Sequence, residues 1–69
     1  MKVILNGKRD GIDVRTDFIT DNVPGINECI QISGEPGYYR VTYVVYLVED
    51  FEVRSVVIEG KFESKRVNL

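Results

Sequence analysis

The chain is poor in residues that favour helices and rich in residues that favour strands. Its 69 residues include no Ala, three Leu and one Met, whereas Val, Ile and Thr together number 21. Side chains branched at Cβ lose rotamer freedom in a helix and pack well on a pleated sheet, and the four Tyr and three Phe share this preference. The composition therefore predicts an all-β protein and argues against a helical bundle or a coiled coil.

Glycine and proline divide the chain into short alternating segments. The length allows one domain, so we expect a single β domain over residues 1–69, with 64–69 as a flexible tail. A first hairpin joins 1–7 to 12–19, and a four-residue loop 8–11 places Leu5 opposite Val14. Turns at 21–25 and 35–38 flank a short strand within 28–33.

The strongest local pattern is a long hairpin over 38–62. Its strands 38–48 and 51–62 flank a turn at 49–50, which places Val48 opposite Phe51 and Tyr39 opposite Gly60. Apolar residues then collect on one face, and the first hairpin supplies the other half of the core. The predicted core residues are Ile30, Ile32, Tyr39, Val41, Tyr43, Val56, Ile58, Val3, Leu5, Val14 and Phe18.

These hairpins predict about five antiparallel strands. They form a bent sheet or a small, partly open barrel with SH3-like or OB-like architecture. A compact chain of this length has a diameter of roughly 28 Å, whereas a straight strand of eleven residues spans about 36 Å. A straight hairpin over 38–62 would therefore extend beyond the rest of the domain.

The apolar pattern reverses partway along this hairpin, around the β-branched doublets 44–45 and 56–57. Toward its end, the apolar side chains cluster on the face predicted to meet solvent. One interpretation is a bulge or bend near the doublets, which would carry the hairpin from one sheet to the other and bury both patches in turn. The other is that the end of the hairpin projects and binds a partner.

Residues that carry catalysis or bind metals are scarce. The chain has no His and a single Cys, Cys29, so nucleophile–base pairs, internal disulfides and zinc sites are not available. The acidic segments 10–13 and 49–52 lack the spacing of a calcium loop, and 34–37 is not a phosphate loop. We therefore expect a protein that is not an enzyme and has neither a metal nor a cofactor.

Charge and hydropathy predict a cytoplasmic protein without membrane contact. Nine basic and eleven acidic residues give a net charge of −2 with the signs interspersed. The N-terminal residues lack the pattern of a signal peptide, and the longest apolar run, 43–48, is too short to cross a bilayer. A lone cysteine suits a reducing compartment.

Recognition without catalysis remains as the predicted function. We expect a small protein-binding module, of the kind found among viral or mobile-element inhibitors and adaptors, that acts through the hairpin end or a strand edge. Its partner would be another protein or a second copy of the chain. The predicted partner-binding residues are Val44, Tyr46, Val48, Glu49, Asp50, Phe51 and Val53.

Single-stranded nucleic acid is the alternative ligand, because small barrels bind it with aromatic platforms and basic grooves. The stacking residues would be Tyr38, Tyr46, Phe51 and Phe62. The phosphate contacts would be Arg40, Arg54, Lys61, Lys65 and Arg66. The net negative charge and the acidic segment 49–52 count against this alternative.

Overall fold

Five strands form one curled, open sheet that resembles half of a barrel. The structure is a computed structural model, and it describes residues 1–64. The strands, in chain order, are β1 Lys2–Arg9, β2 Ile12–Ile19, β3 Cys29–Ile30, β4 Gly37–Glu49 and β5 Glu52–Ser64. Their order across the sheet is β2-β1-β5-β4-β3. The predicted all-β, five-stranded fold is confirmed, and the predicted tail beyond Ser64 lies outside the described residues.

One pairing differs from the all-antiparallel expectation. Strands β1 and β5 are parallel, with Val3 beside Val56 and Leu5 beside Ile58. After β2, the chain passes through residues 20–28 to the far edge of the sheet, and Val23 packs against the core on the way. As a result, β5, the second strand of the long hairpin, lies beside β1 and runs in the same direction. Both strands bury alternate apolar side chains on the inner face of the sheet.

The first hairpin turns more tightly than predicted. Asp10 and Gly11 form a two-residue turn with φ values of 52° and 79°, and Val3 lies opposite Phe18. The predicted loop 8–11, which placed Leu5 opposite Val14, is wrong by two residues. Asp-Gly suits a turn with two positive φ angles, and this preference determines the register. A shift of two residues leaves the same side chains facing the core.

The long hairpin also turns one residue later than predicted. Asp50 and Phe51 form its turn, and Glu49 lies opposite Glu52. At the base, Tyr39 pairs with Phe62 and Val41 pairs with Gly60. The predicted turn at 49–50 and the predicted pairing of Val48 with Phe51 are therefore wrong.

Two bulges then change the faces of the hairpin. The register shifts between Val41 and Tyr43, where Thr42 is the extra residue, and again opposite Leu47 and Val48, where Arg54 is the extra residue. Beyond the first bulge, Val44 pairs with Ile58 and faces the core, whereas Tyr43 faces away and is 56 % exposed. The predicted bulge is confirmed, but Tyr43 is not a core residue.

Tyr39 lies at the centre of the core. Tyr39 packs on two glycines that face each other across β1 and β5. A Cβ atom on Gly7 would come within 2.9 Å of its ring, and one on Gly60 within 2.9 Å of its Cβ atom. The edge of Phe62 meets the same ring at a centroid distance of 5.3 Å. The fully buried residues are Val3, Leu5, Tyr39, Val41, Val56 and Ile58, all predicted for the core.

Within residues 1–64, no helix is long and apolar enough to cross a membrane.

Candidate functional site

The end of the long hairpin extends beyond the rest of the sheet. Strand β1 pairs with β5 only from Val56 to Lys61, and β3 pairs with β4 only at Tyr39 and Arg40. Residues 43–55 are here called the hairpin tip. Toward the turn, only β4 and β5 pair with each other, as a ribbon, and no third strand among the described residues lies beside them. The long axis of the molecule is 46 Å, compared with 26 and 19 Å for the other two. This ribbon accounts for the elongated shape.

Exposed apolar side chains are concentrated on the tip. Of the ten large hydrophobic residues that are exposed among residues 1–64, six belong to it. They are Tyr43, Tyr46, Leu47, Val48, Phe51 and Val53. Isolated exposed apolar residues are normal on a soluble protein, but a contiguous group of this kind marks an interaction surface more often than not.

All seven predicted partner-binding residues lie on the tip, and one of them, Val44, is half-buried. Tyr46, Val48, Phe51 and Val53 are exposed, whereas Val44 is half-buried because it packs against the core. The bulges put Val44, Tyr46 and Val48 on the core side of the sheet, beyond the point where the core ends. The interpretation that a bulge buries both patches is therefore wrong for the tip.

Two further exposed residues of the tip are not among the predicted partner-binding residues. Tyr43 and Leu47 lie on the opposite face of the ribbon, with exposures of 56 % and 45 %. An unbroken period of two along β4 would instead place both on the face of Tyr39 and Val41. The tip is thus apolar on both faces. The bulge at Thr42 determines which apolar residues lie on which face.

The turn of the tip has an unusual backbone. Asp50 and Phe51 have φ values of 54° and 63°, which lie in the left-handed region. The first hairpin has the same kind of turn, with Asp10 followed by Gly11. Glycine adopts this conformation at no steric cost, but a bulky residue there is strained. The Phe51 side chain is 103 % exposed, so no burial within the monomer offsets the strain.

Acidic groups surround the turn. Glu49, Asp50 and Glu52 lie beside a single cation, Arg54, whose Nε atom is 3.4 Å from Glu49 Oε1 and whose Nη2 atom is 3.8 Å from Asp50 Oδ2. These are exposed ion pairs, which contribute little to stability. They leave the end of the tip apolar with a negative rim.

Elsewhere, cations are paired with carboxylates. Six of the seven Lys and Arg side chains in residues 1–64 form ion pairs, at nitrogen-to-oxygen distances of 2.9 to 3.7 Å for the closest contact of each. The six are Lys2, Lys8, Arg9, Arg15, Arg40 and Arg54. Lys65 and Arg66, which belonged to the predicted phosphate contacts, lie outside the described residues. Pairing with carboxylates reduces the positive potential that these side chains would offer to phosphate groups.

The pair between Arg40 and Glu63 is bidentate. Arg40 Nε and Nη2 donate to the two Glu63 oxygens at 2.9 and 3.1 Å, and Nη1 donates to the Asn27 carbonyl at 3.0 Å. The hydrogen bonds from Arg40 hold the pKa of Glu63 below its ordinary value, and those to Glu63 raise the pKa of Arg40. This pair joins β4 to β5 at the base of the hairpin, far from the tip.

A second polar cluster fastens the loop before β4 to the sheet. Glu35 Oε1 accepts hydrogen bonds from Arg9 Nη1 at 2.9 Å and from the Tyr39 hydroxyl at 3.1 Å. Burial raises the pKa of Tyr39, and the hydrogen bond to Glu35 raises it further. The cluster therefore joins this loop to β1 through Arg9 and to β4 through Tyr39.

Three other features of the described residues are a free thiol, the arrangement of possible metal ligands and an open depression. Cys29 is an exposed thiol on the short edge strand. No group of three or more His, Cys, Asp or Glu side chains in residues 1–64 is arranged to hold a metal ion. An open depression of about 420 Å³ lies at the base of the hairpin; its lining includes Asn6, Lys8, Asp13, Thr42, Glu59 and Lys61.

Comparison of the chain with protein-family models, with curated proteins and with solved structures finds no match.

Proposed function

We propose that this protein is a small, non-enzymatic protein-binding module that acts through the hairpin tip. The observation that carries the proposal is Phe51, a fully exposed aromatic side chain on a left-handed backbone at the end of a projecting ribbon. Strained residues persist where the strain serves a function, and aromatic residues are frequent anchors in interfaces. A partner that buries Phe51 would supply the stabilisation that the monomer lacks.

The chemistry of the tip supports a protein ligand. Its apolar residues lie on both faces of the ribbon, and Glu49, Asp50 and Glu52 form a negative rim around the turn. Such a surface is complementary to an apolar pocket with basic neighbours, and it repels phosphate groups. Binding of this kind suits an inhibitor or adaptor, which acts by occupying a surface of its partner.

The test is capture of partners by the immobilised chain from an extract of the cell in which it occurs. Phe51→Asp places a charge at the predicted anchor, and Ile19→Asp is the matched control, because Ile19 is 82 % exposed but lies at the end of β2. We expect Phe51→Asp to abolish capture and Ile19→Asp to leave it unchanged. Equal capture by both variants would refute a role for the tip.

A titration with single-stranded oligonucleotides at low salt separates the two ligand classes. Non-specific nucleic-acid binding has dissociation constants of roughly 10⁻⁴ to 10⁻⁶ M and weakens steeply as salt rises. Because six of the seven Lys and Arg side chains in residues 1–64 are paired with carboxylates, we expect no binding in this range. Salt-sensitive binding would replace the protein-binding proposal with the nucleic-acid alternative.

A further inference from the structure

The outer edge of β4 changes from paired to unpaired at Val41. There, the Val41 N–H donates to the Glu28 carbonyl at 2.9 Å, and the Val41 carbonyl accepts from the Asn27 N–H at 2.8 Å. From Tyr43 to Glu49, no strand among the described residues lies on this side. Every second residue of a strand directs its backbone N–H and C=O groups toward one neighbour. These seven residues therefore present an open row of hydrogen-bonding groups.

The two long edges of the sheet differ in how they are protected. Strand β2 carries Asp13, Arg15 and Asp17 along its length, and charges of this kind discourage another strand from adding. The segment 41–48 of β4 has no charged residue, no Pro and no Gly. An uncharged edge rich in β-branched and aromatic residues is suited to strand addition.

We propose that the occupant of this edge is a second copy of the chain, paired antiparallel to β4 about a two-fold axis at Tyr46. This inference goes beyond the proposed function, because it uses the backbone edge of β4 and leaves Phe51, in the turn beyond Glu49, free for another protein. In this arrangement, Val45 lies opposite Leu47 of the second copy and Val44 lies opposite its Val48. The two Tyr46 residues face each other on the axis.

The length of the open edge determines this register. Tyr46 is the midpoint of Tyr43–Glu49, so a pairing centred on it uses all seven open positions and forms about six backbone hydrogen bonds. A register shifted toward the base would drive the second copy into Asn27 and Glu28, which already occupy the edge at Val41. A register shifted toward the turn would lose hydrogen bonds at both ends.

Charge is consistent with the same pairing. The segment 41–48 brings no charged residue opposite another, so the ladder contains no like-charge contact. The two acidic turns lie at opposite ends of the shared ladder, about 20 Å apart at ~3.3 Å per residue. That distance is well beyond the screening length of roughly 8 Å at physiological salt.

Disulfide trapping tests the axis directly. In a Cys29→Ser background, which removes the exposed native thiol, Tyr46→Cys places two thiols across the two-fold axis. Their Cα atoms would be about 5 Å apart, within the range that a disulfide spans. Val48→Cys is the matched control, because its two copies would be separated by about 13 Å along the ladder. We expect oxidation to trap a dimer with Tyr46→Cys and not with Val48→Cys.

The mass of the unmodified protein in solution completes the test. Light scattering should give twice the 7.9 kDa of one chain, and the double variant Val45→Lys/Leu47→Lys should be monomeric, because it places like charges opposite each other. Mixing it with Val45→Glu/Leu47→Glu should restore a dimer. These results, together with trapping at Tyr46 alone, would support the proposal.

The contrary outcomes are distinct from failure of the proposed function. A wild-type chain that stays monomeric, trapping with Val48→Cys as efficient as with Tyr46→Cys, or open-ended aggregates would each overturn the self-pairing. A monomer that still captures another protein in a Phe51-dependent manner would overturn it while leaving the proposed function intact.

Discussion

Replacing Phe51 by Gly should stabilise the protein. A left-handed backbone costs a residue with a side chain about 1–2 kcal/mol. Phe51 has φ of 63° and its side chain is fully exposed, so its removal loses no burial. Glycine loses about 0.5–1 kcal/mol more conformational freedom on folding. The net expectation is a gain of about 1 kcal/mol in the free energy of unfolding of the monomer.

Thermal unfolding of the isolated chain measures this gain. In a domain of this size, about 1 kcal/mol shifts Tm by roughly 4–8 °C. The measurement belongs at low protein concentration, because association would add its own stabilisation to the wild type.

The first hairpin provides the matched control. Gly11 occupies the same turn position as Phe51, with φ of 79°, and a Cβ atom there would meet nothing within 4 Å. Gly11→Phe should therefore lower the free energy of unfolding by about 1 kcal/mol through the backbone alone. The double variant Gly11→Phe/Phe51→Gly should lie close to the wild type, because the two turns are separate.

A lower Tm for Phe51→Gly would refute this reasoning. It would mean that the Phe51 side chain packs against the monomer, and the tip would then not be available to a partner. If the variant is more stable, it should also lose binding, because the aromatic anchor is gone. Opposite changes in stability and binding are the expected sign of a residue retained for function.

Three further predictions concern the body of the fold. Gly7→Ala should destabilise the protein by about 1–3 kcal/mol, because its Cβ atom would press on the Tyr39 ring, whereas Gly25→Ala should be nearly neutral in the same urea titration. Arg40 holds the pKa of Glu63 below 4.5 in the folded state, so the unfolded chain binds a proton first as the pH falls. The stability from this pair is present above pH 4.5 and is lost as the pH falls through the lower pKa of Glu63 in the folded state. Between about pH 6 and about pH 3, the urea midpoint should therefore fall less in Glu63→Gln than in the wild type. Burial raises the pKa of Tyr39 above 10.0, so the stability that the neutral hydroxyl contributes is present below that pH and is lost as the pH rises through the pKa of the folded state. In Tyr39→Phe, the free energy of unfolding should lack this alkaline loss.

Composition and alternation were sufficient to predict the fold class and the core. The six buried residues, among them Leu5, Tyr39 and Ile58, all follow a period of two in β-rich segments. A two-residue error in the first hairpin did not move any of them, because a shift by an even number preserves the faces. The parallel pairing of β1 with β5 was not predicted, since short-range patterns specify hairpins but not the direction in which distant strands meet.

The tip was harder to predict for local reasons. A bulge needs no particular residue type, and Thr42 and Arg54 look like ordinary strand residues in the sequence. One extra residue exchanges the faces, which is why Tyr43 was assigned to the core and Leu47 was not recognised as exposed. The turn was misplaced because Asp50-Phe51 lacks the Gly that usually indicates positive φ.

The contrast between the two long edges limits how many chains can join through β4. Growth of a sheet into a fibre requires each new molecule to offer a fresh edge for the next one. In the proposed dimer, the uncharged edge of β4 is covered in the first encounter, and the strand that remains outermost on either side, β2, carries alternating charge. In a sheet with two uncharged edges, such an edge would lead to polymers. Here it can be tolerated, because association stops at the dimer.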